Sequence, residues 1–402
     1  MPVITLDLLQ TLSLAAVVYF VGISLRARIA FLERLNIPAA VIGGLLFTIL
    51  TTIGQSGFFT IRLDTSAQTV LVVAFFTSIG MGASVALLRR GGAQLIIFLV
   101  FVSLFCFVQN FVGIGIAHAF GEHPLLGVIA GSVTMMGGPA TGQAFAPTFE
   151  QAGLAGAGAV ALAAATAGII CGGLVGGPVA TLLIRRFRLR SESSSSTELL
   201  REIAPPPVTL EVEVEREDNT ILRNLVYLAL AMGLGSLVSL YIESLGVVLP
   251  SYVGAMLVAA VIRNLDDSTR WLKINLRAME LVGTVSLNIF LVVALMNLRL
   301  WQLADLALPL VVILVAQVAV VVIFALTAVY YLMGRDYDAA VMSGGFTGFV
   351  LGTTANAMTN MQALVARYGA APRAFLVVPL VGALFIDFTN AAIITLFVNW
   401  FK

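Results

Sequence analysis

Charge is scarce in this chain. Only 11% of its 402 residues are Asp, Glu, Lys or Arg, against about a quarter in soluble domains, which excludes an ordinary soluble fold. Cysteine is nearly absent. Cys106 and Cys171 lie in apolar segments with neither zinc-ligand nor CxxC spacing, so both read as packing residues rather than a metal or redox pair. His118 and His123 are the only histidines. They fall at the outer end of a span without metal-ligand spacing, and are expected to be surface residues. There is no phosphate-cradling glycine loop, nucleophile elbow or zinc-protease motif, which sets aside an ATP-driven pump or a membrane hydrolase and any bound cofactor. A net charge of +1 gives no footprint for nucleic acid. The N-terminus lacks a basic n-region and a small-residue cleavage site, so Thr5 to Leu25 reads as a retained first helix.

What the chain has instead is apolar length. Hydrophobic residues make up 59% and the mean hydropathy is +1.02, as expected of an all-α polytopic membrane protein. Full spans are expected near 5–25, 38–54, 67–88, 93–119 and 155–184, then near 221–243, 250–262, 279–298, 306–333 and 374–399. Two hydrophobic segments, near 124–150 and 338–365, are interrupted at their centres by Gly131-Ser-Val-Thr-Met-Met-Gly137-Gly138-Pro139-Ala140-Thr141-Gly142 and by Gly344-Gly345-Phe-Thr347-Gly348-Phe-Val-Leu-Gly352-Thr353-Thr354. At one constant offset Gly121 meets Gly334, Gly131 meets Gly344, Thr134 meets Thr347 and Thr141 meets Thr354. Paired Gly/Pro-broken segments in two halves of a membrane protein point to a transporter's binding site, because backbone freed from a helix must face a ligand, an ion or water.

Charge fixes how these segments lie. With both broken segments re-entrant and the N-terminus outside, 19 Lys and Arg are cytoplasmic and only Arg62, Arg299 and Lys402 are outside, together the 22 of the chain. The positive-inside rule favours this arrangement. Each half then has about five crossings and one re-entrant loop, and an odd number of crossings makes the repeats inverted. Residues 1–184 form the first repeat and 221–402 the second. The Ser-, Pro- and Glu-rich stretch 185–220 reads as a cytosolic linker, and both termini are expected outside.

Polar groups at membrane depth are expensive. Asp387 lies about 20 Å along the last span by helical rise, with Asn390 one turn behind. Its carboxylate suits a bound cation or a substrate ammonium, and the sequence leaves both open. The second broken segment adds the oxygens of Thr347, Thr353, Thr354, Asn356 and Asn360, and the first those of Ser132, Thr134, Thr141 and Gln143. Gln109, Asn110 and Gln317 lie in the spans before the two segments. For Thr77, Ser78, Ser286 and Asn288, inside other spans, interhelical hydrogen bonding is expected. With no Lys or Arg at depth, a carboxylate substrate would meet backbone N–H groups, hydroxyls and co-bound cations.

At these residues the chain resembles the bacterial glutamate:sodium symporter family. The resemblance is carried by Gly348-Phe-Val-Leu-Gly352 with Asn360-Met-Gln-Ala363, by Phe375-Leu-Val-Val-Pro379 with Phe385-Ile-Asp387, by Asp336-Tyr-Asp-Ala-Ala-Val341 and by Gly176-Gly-Pro-Val-Ala180. It implies sodium-driven uptake of L-glutamate across the inner membrane, with sodium as coupling ion, and an elevator-type homodimer in the lipid bilayer. The substrate is expected at Gly137, Gly138, Thr141, Gly352, Thr353, Thr354, Asn356 and Asp387, and sodium at Asp387, Thr347, Asn360 and Asn390. The family's first loop resembles Gly-Gly-x-Gly where this chain has Gly137-Gly138-Pro139-Ala140, so a different bend is expected there. A carrier of another carboxylate and a channel on opposed loops are the competing readings; a membrane enzyme lacks a nucleophile–base pair.

Overall fold

A computed structural model describes residues 3–55, 60–90, 92–191 and 217–402. Most of the expected linker, 192–216, lies outside the described residues. The first half holds α1 (Leu8–Arg28), α2 (Ala30–Arg34), α3 (Ala39–Gln55), α4 (Ala67–Gly82), α5 (Val85–Arg90), α6 (Gly92–Ala119), α7 (Pro124–Val128) running into a π-turn at Ile129–Val133, α8 (Gly138–Gln151) and α9 (Ala157–Arg186). The second holds α10 (Glu217–Ser244), α11 (Ser251–Thr269), α12 (Leu276–Met296), α13 (Ala307–Leu332), α14 (Tyr337–Leu351), α15 (Thr354–Tyr368) and α16 (Pro372–Phe401). Seven helices among the described residues are long and apolar enough to cross a membrane: α1, α6, α9, α12, α13, α16 and Ile221–Ser244 of α10. The second-half helices α10 to α16 follow α1, α3, α4, α6, α7, α8 and α9 in the same order and at a nearly constant offset. Gly22 and Gly235, which correspond under that offset, do the same job: a Cβ on either would strike the backbone of a following helix, at the Ala39 carbonyl oxygen of α3 and at Ala255 Cα of α11. Close helix crossings in lipid need such small residues.

Local chemistry sets the ends. Asp7 accepts the Gln10 N–H at 2.8 Å while the Gln10 side chain accepts the Asp7 N–H at 3.1 Å, a reciprocal cap for α1. His123 is more than a surface residue, since its Nδ1 accepts the Leu125 N–H at 3.2 Å and caps α7. Asp336 accepts the Ala339 N–H at 2.9 Å to start α14 and pairs with Arg373 at 2.6 Å. In the last turn of α11, the Asp266 carboxylate accepts the N–H groups of Leu272, Lys273 and Ile274 at 2.8, 3.0 and 2.9 Å. Burial opposes its charge, yet these bonds and nearby Arg263 outweigh it and hold the carboxyl below the usual range. Trp271, Trp301 and Trp400 are exposed near span ends, where amphipathic rings favour the interface.

One short strand pair accompanies the helices. Val3–Leu6 and Thr60–Leu63 pair as two parallel strands, so the chain enters α1 through a strand. Thr11 at the start of α1 accepts the Asp64 N–H at 3.2 Å. These strands bring together the entrance to α1 and the connection between α3 and α4.

The helices sort into two bodies. α1, α3, α4, α10, α11 and α12 pack on one another and form a frame. α6–α9 and α13–α16 pack around the two broken segments. The bodies meet where Phe145 of α8 sets its edge against Tyr252 of α11, 5.3 Å between centroids, with Phe76 of α4 stacked behind at 4.6 Å. Asn36, before α3, also donates to Asn356 and Thr359 of α15 at 3.1 and 3.2 Å.

Candidate functional site

The limbs of both broken segments are short. α8, α14 and α15 have 14, 15 and 15 residues, less than the roughly 20 a crossing takes. In the first segment Gly131 leaves helical geometry at φ −97°, ψ −127°, and Gly138 takes φ +66°, a left-handed conformation that suits glycine. Pro139 then sits in the first turn of α8, where a missing N–H costs nothing. The Pro139–Ala140 departure is thus accommodated as a helix start. In the second segment Gly352 leaves helical geometry at φ −150°, ψ −89°, Thr353 is extended, and the Thr353 hydroxyl accepts the Asn356 N–H at 3.3 Å. The two breaks meet: a Cβ on Gly138 would lie 3.5 Å from the Gly352 carbonyl oxygen and 3.8 Å from Thr353 Cγ2.

Freed backbone at this depth needs partners; α6 and α16 supply them, and α13 braces α6. On α6, Asn110 Oδ1 accepts the Ser132 N–H at 2.9 Å and Gln109 Nε2 donates to the Val350 carbonyl at 3.3 Å, so consecutive residues hold one break each. On α13, Gln317 donates to the Gln109 carbonyl at 2.7 Å. On α16, Asn390 donates to the Ser132 carbonyl at 3.0 Å, while Gly382 stands against Thr354, whose Oγ1 would be 2.9 Å from a Cβ there. A π-turn at Val381–Phe385 interrupts this stretch. Asp387 falls between the two contacts, half-buried. Among the described residues nothing hydrogen-bonds or pairs with its carboxylate.

The expected site residues divide accordingly. Gly137, Gly138, Gly352, Thr353 and Thr354 lie at the breaks, and Thr141 packs its side chain against Gly137. Asn356 and Asn360 face α9, donating to the Ile169 and Gly172 carbonyls at 2.7 and 2.9 Å. Thr347 donates to Ser343 in its own helix at 2.9 Å. Asn390 joins the first break, away from these partners. Thr77, Ser78 and Asn288 bond carbonyls of their own helices at 2.6, 2.7 and 2.8 Å, not neighbouring helices as expected. A polar cleft of about 460 Å³ opens beside α8, lined by Gln143, Glu150, Asn297, Arg299 and Gln302 among others. No group of three or more His, Cys, Asp or Glu that could hold a metal occurs among the described residues.

Two features of the site are not evident from the sequence. One is the use of Gln109 and Asn110 as clamps. The other is a pair of glycine stripes, Gly168, Gly172 and Gly176 on α9 against Gly344, Gly348 and Gly352 of α14 and its break. A Cβ on Gly168 would strike the Leu351 carbonyl oxygen, and one on Gly172 would sit 3.0 Å from that of Gly348. The four-residue spacing on both strips was the available signal.

Comparison with known proteins extends these observations. The sodium/glutamate symporter family pattern matches residues 4–370. A sodium/glutamate symporter of Haemophilus influenzae is 38% identical over 394 residues, covering 97% of this chain and 96% of the relative. One of Escherichia coli K12 is 37% identical over 394 residues, covering 98% and 97%.

Proposed function

The chain belongs to the sodium/glutamate symporter family, and we propose that glutamate binds where its two broken segments meet, at Gly137–Gly138 and Gly352–Thr354. It is a multi-pass membrane transporter, not an enzyme, and it couples glutamate movement to sodium. The observation that carries the site is the approach of Gly138 to Gly352 and Thr353. Glutamate carboxylates meet the first N–H groups of α8 and α15 and the hydroxyls of Thr141, Thr353 and Thr354, and Asn356 orders the second break behind them. Helix N-termini favour anions without a buried cation. Asp387, unpaired between the two breaks, faces the substrate ammonium or a coupling cation.

The repeats are read as inverted, five crossings and a re-entrant loop in each half of 1–184 and 221–402, with the loops entering from opposite faces. The separation into a frame and a hairpin-bearing body supports an elevator movement. The location is the bacterial inner membrane, with both termini outside and residues 185–220 in the cytosol, and the assembly is a homodimer. The test is uptake of labelled L-glutamate into proteoliposomes under an imposed sodium gradient or an imposed proton gradient. Accumulation is expected only with sodium; uptake driven equally by protons sinks the coupling, and equilibration without accumulation indicates a channel.

A further inference from the structure

Five buried polar atoms around the two breaks have no hydrogen-bond partner: Gln109 Oε1 beside the second, and Asn110 Nδ2, Ser132 Oγ, Gln317 Oε1 and Asn390 Oδ1 around the first. Their residues are 0% or 1% exposed. An orphaned buried polar atom is costly and calls for an ion or water. The five belong to one network, since Asn110 and Asn390 both bond Ser132 and Gln317 bonds the Gln109 backbone. Orientation is settled by what the other end of each amide does. Gln109, Gln317 and Asn390 each spend their NH2 on a carbonyl, so the oxygen is the end left over. Asn110 spends its oxygen on the Ser132 N–H, so its NH2 is left.

The geometry points to a sodium site at the first break, with Ser132 Oγ, Gln317 Oε1 and Asn390 Oδ1 as ligands and one water between the ion and Asn110 Nδ2. Uncharged hard oxygens without thiolate or imidazole suit an alkali cation rather than a transition metal. A sodium ion carrying one water would satisfy the four orphans around the first break at once. Asp387, one turn from Asn390, places a carboxylate near the ion without ligating it. Thr347 and Asn360 take no part in this network. The site rests on the sodium-coupled reading and gives it a location.

Ser132→Ala removes one ligand and leaves the Ser132 N–H and carbonyl that Asn110 and Asn390 hold. Ser132→Cys keeps the volume and substitutes a soft atom for a hard one. The thermal unfolding midpoint of the purified full-length protein, without glutamate, is followed in rising sodium chloride against potassium chloride at constant ionic strength. Sodium-specific stabilisation is expected for the wild type, and a half-saturating sodium concentration raised about tenfold or more in both variants. Proteoliposome uptake at saturating sodium should keep the wild-type half-saturating glutamate concentration. Equal stabilisation of the wild type by potassium, or an unmoved sodium half-saturation in both variants, overturns the site. A change confined to glutamate half-saturation overturns it too, assigning the cluster to the substrate pocket. Failure of the sodium-coupled reading itself would appear separately, as wild-type proteoliposomes that do not accumulate glutamate under a sodium gradient.

Discussion

Thr353 caps α15 with its hydroxyl and turns its methyl toward Gly138. Thr353→Ala should therefore lower stability by about 1 kcal/mol and raise the half-saturating glutamate concentration, with Thr353→Ser restoring the cap; thermal unfolding and uptake kinetics check both. Asp387→Asn keeps size and removes charge. It should reduce sodium-dependent uptake roughly tenfold or more, the weight of a charged hydrogen bond, while the variant stays monodisperse. Wild-type uptake by this variant would remove Asp387 from the site. At Asp266 the folded carboxyl is depressed, so its stabilisation is complete above the unfolded value of about 3.9 and is lost as pH falls through the lower folded value. Unfolding midpoints of wild type and Asp266→Asn should differ at neutral pH and converge in acid. Residue types at the breaks were readable in the sequence, because Gly, Thr and Asp are conspicuous in apolar surroundings. Their partners were not. Gln109 and Asn110 bond atoms at 350 and 132, and nothing local announces such distant pairings.

Elements were the most legible scale, since a span must be apolar for about 20 residues and so declares itself. The expected first broken segment, 124–150, is realised as 124–151 and the second, 338–365, as 337–368. The strand pair is not visible in the sequence because each strand has four residues and its partner lies far along the chain, beyond three helices. Hydroxyls inside spans are expected to bond between helices, but Thr77 and Ser78 reach a carbonyl of their own helix, a cheaper arrangement that periodicity does not reveal. The α9–α14 crossing makes its own prediction. Gly168→Ala puts a methyl into the Leu351 carbonyl and should cost about 1–3 kcal/mol, displace the second break and reduce uptake. Gly177→Ala, on the same helix with open space around it, should leave unfolding and uptake near wild type.

For the whole molecule, sidedness rests on the distribution of arginine. With Cys106 and Cys171 replaced by Ser, Glu122→Cys should react with a membrane-impermeant maleimide in intact cells. Arg335→Cys should react only after permeabilisation. Labelling of both from one face would overturn the inverted arrangement. The constant offset on which the repeat reading rests is visible in the sequence, whereas the division into frame and hairpin-bearing body is not, because it depends on which apolar faces pair and all such faces look alike in sequence. One detail of that body bears on how the pathway opens. Gln109 and Asn110 are neighbours on one rigid helix and each is fastened to a different tip. A door whose two jambs are nailed to one post cannot open between the jambs. Parting the tips would orphan a buried amide and a buried carbonyl, each costing about 1–3 kcal/mol, whereas carrying the post and both jambs together leaves these bonds intact.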